Sequence, residues 1–130
     1  MIKAISIAVL VLAPVPAIAQ FVPTLDNEPR VCPEQPPRPD WMENAHVRDA
    51  HKNILVQQMY RAQSLNAVVE TGDCSCETRF PSWDAASEYY FENYAGLDRH
   101  EILERTSEYS RTANELRPAA RSICEEQGNW

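Results

Sequence analysis

Residues 98–128 read DRHEILERTSEYSRTANELRPAARSICEEQG, and the spacing of their apolar and small side chains decides the fold. Ile102, Thr106, Tyr109, Ala113, Leu116, Ala120 and Ile123 recur at alternating steps of four and three. That is the period of a helical stripe buried against another helix. Asp98 and Glu101 make a capping box at its start, and Gly128 ends it. Thr106, Ala113 and Ala120 are small, so the seam lies close to its partner. Pro118 sits inside and costs about 3 kcal/mol in a helix interior. Because the stripe keeps its phase across Pro118, the pattern predicts a helix over about 99–127, kinked near Pro118 with its two parts aligned.

Upstream, no Pro or Gly interrupts residues 41–71 before Gly72, which is placed as a left-handed C′ residue. Asp40 with Glu43 offers an acidic capping box, and a helix over 41–70 would be a rod of roughly 45 Å. Its stripe is Leu55, Met59, Ala62, Leu65 and Val69; the half around Trp41, Ala45 and Val47 is weaker. A shorter helix is predicted over 83–95, capped by Ser82. At 100° per residue, Trp83, Ala86, Ser87, Tyr90, Phe91 and Tyr94 share one arc, with Asp84, Glu88 and Glu92 opposite. That aromatic arc reads either as core or as a platform for a sugar or peptide. Nothing alternates with period two long enough to argue a sheet. The expected fold is all-α: two long helices packed antiparallel and a short aromatic helix beside them, stapled by disulfides.

The N-terminal part has a different character. Lys3, the apolar run Ile5–Leu12 and the small-x-small site Ala17-Ile18-Ala19 read as an export signal over 1–19, cleaved before Gln20. The run is too short to span a bilayer, which takes roughly 20 residues, so no membrane insertion is expected after cleavage. Residues 20–39 hold six prolines and read as an extended arm preceding a helical domain over 40–130. Pro33-Glu34-Gln35-Pro36-Pro37-Arg38 matches a PxxPxR peptide pattern; the plainer reading is a strap against the body, held by Cys32.

Removal of Lys3 with the signal takes the formal net charge from −7 to −8. Such a balance argues against nucleic acid or anionic lipid as a partner and suits solubility or a basic partner. All cations after the signal except Lys52 are arginines, which favour fixed ion pairs.

An exported chain makes Cys32, Cys74, Cys76 and Cys124 candidates for disulfides. A Cys74–Cys76 bond would close a very tight ring, so these two are expected as staples from one loop, one to Cys124 and one to Cys32. Spacing leaves open which takes which. A rival reading places thiol–disulfide exchange at Cys74-Ser75-Cys76, although CxxC and a βαβ context are missing. A metal site draws little support: His46 and His51 point about 140° apart on a helix, and His100 with Glu104 is a single pair.

No catalytic motif, phosphate loop or haem signature stands out, so neither catalytic residues nor a cofactor are assigned. Export signal, long helices and small size, carried by Met1–Ala19 and the helices from Asp40 and Asp98, resemble the small periplasmic helical subunits of conjugative and type IV secretion systems. The residues themselves point to a periplasmic or secreted, non-enzymatic structural or interaction component of the bacterial cell envelope, and the resemblance implies a protein partner in an assembly. It assigns no functional residue and no oligomeric state. Alternatives are a redox or sensing protein using Cys74 and Cys76, and a small acidic inhibitor of a basic enzyme. Trp41, Tyr89 and Trp130 are the candidate contact residues.

Overall fold

The computed structural model describes Cys32 and residues 35–130. The signal reading over 1–19, and Pro33 and Glu34 of the PxxPxR pattern, fall outside those residues. The described chain is all-α, with no strand. It comprises α1 (Asp40–Glu43), a 3₁₀ turn (Val47–Asp49), α2 (Ala50–Thr71), α3 (Cys76–Arg79), α4 (Asp84–Asn93) and α5 (Arg99–Glu126).

The capping box that opens α5 is fully formed. Asp98 Oδ1 accepts from the Glu101 amide at 3.0 Å, and Glu101 Oε2 accepts from the Asp98 amide at 2.9 Å. With Glu101 engaged there, Arg105 turns to Glu108 at 2.7 Å. The helix continues through Pro118 as one element. Its stripe faces inward as the spacing predicts: Ile102, Ala113 and Ala120 are fully buried, and Thr106, Tyr109, Leu116 and Ile123 half-buried.

Two boundaries upstream differ from expectation. The rod over 41–70 is broken at Asn44–His46, so α2 spans only Ala50–Thr71. Asp40 does not cap α1. Pro39 occupies that place without a side-chain bond, and Glu43 pairs with Arg38 at 2.7 Å instead. The His46 ring accepts from the Arg48 amide and starts the 3₁₀ turn. The break lets α1 fold over, so that Met42 enters the core and its carbonyl accepts from Asn53 at 2.8 Å. Likewise α4 begins at Asp84, because the Ser82 hydroxyl donates to the Asp84 carboxylate and does not accept an amide. Gly72 has the left-handed backbone expected of it, at φ 68°.

The largest correction concerns direction: the two long helices run parallel, not antiparallel. Arg61 bonds Asn114 across a sequence separation of 53, and Gln127 bonds the Gly72 carbonyl across 55. Early α2 residues (Leu55, Met59) cluster with Ile102, and late ones (Leu65, Val68) with Ala120 and Cys124. Paired positions therefore rise together along both helices. The connection explains it. Residues 72–98 include α3 and α4 and walk back along α2, with Pro81 and Trp83 beside Tyr60 and Tyr90 beside Trp41. The antiparallel neighbour of α2 is thus the short aromatic helix, and α5 restarts at the end where α2 began.

This path makes α2 central. It meets α5 along one face and α3 and α4 along another. Of the predicted stripe, Leu55, Met59 and Ala62 are buried and Leu65 and Val69 half-buried, and a second row of Val56, Tyr60 and Ser64 is buried as well. The core divides into two clusters. One gathers Met42, Leu55, Val56, Met59, Tyr60, Trp83, Ala86, Tyr90 and Ile102. The other holds Val68, Cys74, Ala120 and Cys124, with Leu65, Val69 and Ile123 against it. The aromatic arc of α4 is core: Trp83, Ala86 and Tyr90 are buried. Phe91, expected within the arc, is 54% exposed.

Candidate functional site

The sulfur end shapes a surface that combines cations with ring faces. Cys74 bonds Cys124, and Cys76 bonds Cys32. The 74–76 loop is held between those bonds by side-chain amides. Gln127 accepts from the Cys74 amide at 2.8 Å and donates to the Gly72 carbonyl at 2.9 Å. Asn129, 6% exposed, donates to the Cys74 carbonyl and lies against the Cys32 sulfur. Ser75 caps α3. Asp73 accepts from the Ser75 amide and from both the Ser75 and Thr78 hydroxyls, and these bonds hold its carboxyl below the ordinary value.

The Cys32–Cys76 bond also fixes the arm, whose described residues lie against the body as a strap. The Trp83 indole donates to the Pro36 carbonyl at 2.9 Å. Beneath it, Tyr60 stacks on Trp83 with ring centroids 4.0 Å apart and donates to the Pro81 carbonyl at 2.8 Å. With its oxygen buried, the Tyr60 hydroxyl is pushed up from its ordinary acidity.

Between strap, α2, α3, α5 and the C-terminal residues runs a groove of about 630 Å³. Among the described residues its aromatic lining is Tyr60, Phe80, Trp83 and Trp130, and its charged lining is Arg38, Arg61, Arg79, Arg117 and the carboxylate of Glu43. Glu43 is already bonded to Arg38. Arg61 donates to the Asn114 side chain at 2.7 Å. The Trp130 ring has the Arg79 guanidinium 4.8 Å and the Arg117 guanidinium 5.7 Å from its centroid, within cation–π range. Among the described residues, neither Arg61 nor Arg117 joins a salt bridge.

The three contact candidates from the sequence are not brought together. Trp130, 37% exposed, is a wall of the groove. Trp41 is half-buried at the opposite end, stacked on Tyr90 at 5.7 Å. Tyr89, 43% exposed, sits on α4 edge-on to Tyr94. Sequence reasoning missed the groove itself, whose arginines come from separate elements with no common spacing.

Cys74 and Cys76 belong to different disulfides and no free cysteine is present, so the CxC segment holds no bond of its own to exchange. Among the described residues no cluster of three or more His, Cys, Asp or Glu side chains is placed to hold a metal ion. No described helix is long and apolar enough to cross a membrane. Two disulfides fit an oxidising, extracytoplasmic location. Compared with known proteins, the chain matches no family model, and no curated protein or solved structure matches it.

Proposed function

We propose that this chain is an exported, non-enzymatic interaction component of the bacterial cell envelope, residing in the periplasm after loss of residues 1–19. The groove is its contact surface. One observation carries the reading: on a chain of net charge −7, four arginines and four aromatic rings line one open groove in which, among the described residues, one carboxylate side chain stands, already bonded to Arg38. Rigidity supports it, because two disulfides and the Gln127 and Asn129 amides hold the groove wall before any partner arrives, which lowers the ordering cost of binding. The layout shared with small periplasmic subunits of conjugative and type IV secretion systems makes a secretion assembly the setting we favour.

Expression of the full chain in a Gram-negative host tests the address and the redox state together. The expected product is a periplasmic chain beginning at Gln20 with four oxidised cysteines. A cytosolic chain with free thiols and the same helical content overturns the reading.

A further inference from the structure

We infer that the groove receives an acidic peptide segment of a partner protein, its carboxylates on Arg61 and Arg117 and an apolar side chain between them. The inference rests on the interaction reading above and names the chemistry of the occupant. Charge complementarity is the first argument. Elsewhere among the described residues Lys52 pairs with Asp49, Arg105 with Glu108 and Arg121 with Glu125, His100 lies 3.5 Å from Glu104, and Arg48, Arg99 and Arg111 join no ion pair. In the groove, four arginines share one described carboxylate: Glu43 is taken by Arg38, while Arg61 rests on a neutral amide and Arg117 over a ring. A guanidinium gains most from a carboxylate, which meets its fork with two parallel hydrogen bonds.

The shape of the lining selects a peptide over a small anion. Arg61 reaches from α2 to Asn114, one turn before Arg117 on α5, so the two cations flank one stretch of the groove. Leu65 and the rings of Phe80 and Trp130 line the same groove and are useless to a bare anion. A volume of about 630 Å³ is within the range of pockets that bury a drug-sized ligand. The strap adds no β-pairing edge, since Pro36 and Pro37 carry no amide hydrogens. Recognition therefore runs through side chains: charge at two points and an apolar anchor on the rings.

The test is a fluorescence and calorimetric titration of the oxidised chain with capped Glu-Glu-Phe-Glu-Glu and Gln-Gln-Phe-Gln-Gln. Trp130 lies in the groove and reports occupancy. The acidic peptide is expected to bind at least tenfold tighter, more weakly as salt rises. Arg61→Gln with Arg117→Gln is expected to remove at least tenfold of that affinity, and Arg117→Gln alone, at an exposed position, a measurable part. Arg99→Gln with Arg111→Gln, outside the groove, is expected to leave it unchanged. Equal binding of the two peptides overturns the inference, as does indifference to the groove variants. So does a sulfated polysaccharide that binds as well and is not displaced by the peptide. Concentration-dependent self-association that the groove variants abolish names a second copy as occupant and also overturns it. If the chain proves cytosolic and reduced while the peptide still binds through Arg61 and Arg117, the envelope reading falls and this one stands.

Discussion

The two ends of the bundle are held together by different means. At the aromatic end, where α2 and α5 begin, Leu55, Met59, Ile102, Trp83 and Tyr90 are buried almost completely. Each such side chain contributes about 1.5–3 kcal/mol by leaving water. No disulfide reaches this end. At the sulfur end the buried residues are Val68, Ala120, Asn129 and the cysteines Cys32, Cys74 and Cys124. Small side chains let α2 and α5 approach closely but offer little area, and covalent bonds supply what burial does not. The contrast suggests a division of labour: burial holds the aromatic end, and the two disulfides hold the end where little apolar area is buried.

Breaking the buried disulfide is the most severe way to test that division. The Cys74–Cys124 bond closes a sequence separation of 50, for which loop entropy predicts about 4 kcal/mol. Cys74→Ala with Cys124→Ala is expected to lower the unfolding free energy by about that amount in denaturant titration. Hydrogen exchange in the variant should rise first in residues 65–72 and 117–127, and slow exchange should survive around Leu55 and Ile102. Exchange that rises equally at both ends would show the two regions to be one cooperative unit.

The complementary break is Leu55→Ala. Leu55 is fully buried, and such a truncation costs about 3 kcal/mol, depending on how far the site collapses. Here the aromatic end should loosen while both disulfides resist reduction as before, which thiol labelling under native conditions reads directly. A smaller break isolates the amide latch. Asn129→Ala removes the donor to the buried Cys74 carbonyl, and an orphaned buried acceptor costs about 1–3 kcal/mol. Its expected signature is faster labelling at Cys32 and Cys76 under mild reductant, with little change in near-ultraviolet signal from Trp83 and Tyr60.

How much of this was legible in the sequence follows the same division. The α5 stripe, its capping box and Gly72 were readable because helix period, caps and left-handed turns are local properties of the chain. So was the division of Cys74 and Cys76 between Cys32 and Cys124, though not which takes which, since neighbours two residues apart are indistinguishable by spacing. The direction of α5 was not readable. Two long amphipathic helices suggest an antiparallel pair only when their connection is short, and residues 72–98 are long enough to carry the chain back past Tyr60. The α1 break depended on Met42 finding the core and His46 finding the Arg48 amide, both tertiary outcomes. The groove was invisible because Arg61, Arg79, Arg117 and Trp130 come from separate elements that meet only in the folded chain.

The gentlest probe of the comparison has no effect at neutral pH. Burial raises the hydroxyl pKa of Tyr60, Tyr90 and Tyr109 above the ordinary 10.0, and for Tyr109 the bond with Tyr94 adds to it. All three belong to the aromatic cluster. In the folded state they hold their protons where the unfolded chain has begun to release them. Their contribution is therefore complete below about pH 10 and is lost as pH rises toward the folded values. Lys52, raised by its hydrogen bond to Asp49, loses its contribution in the same direction at slightly higher pH, and Lys52→Met subtracts it. Unfolding free energies measured from pH 8 to 12 should stay level and then fall, with Tyr90→Phe giving a shallower decline. Hydrogen exchange at high pH should reach Leu55 before Val68, the reverse of the order that disulfide removal produces. If alkali opens the sulfur end first, burial is not what distinguishes the two regions.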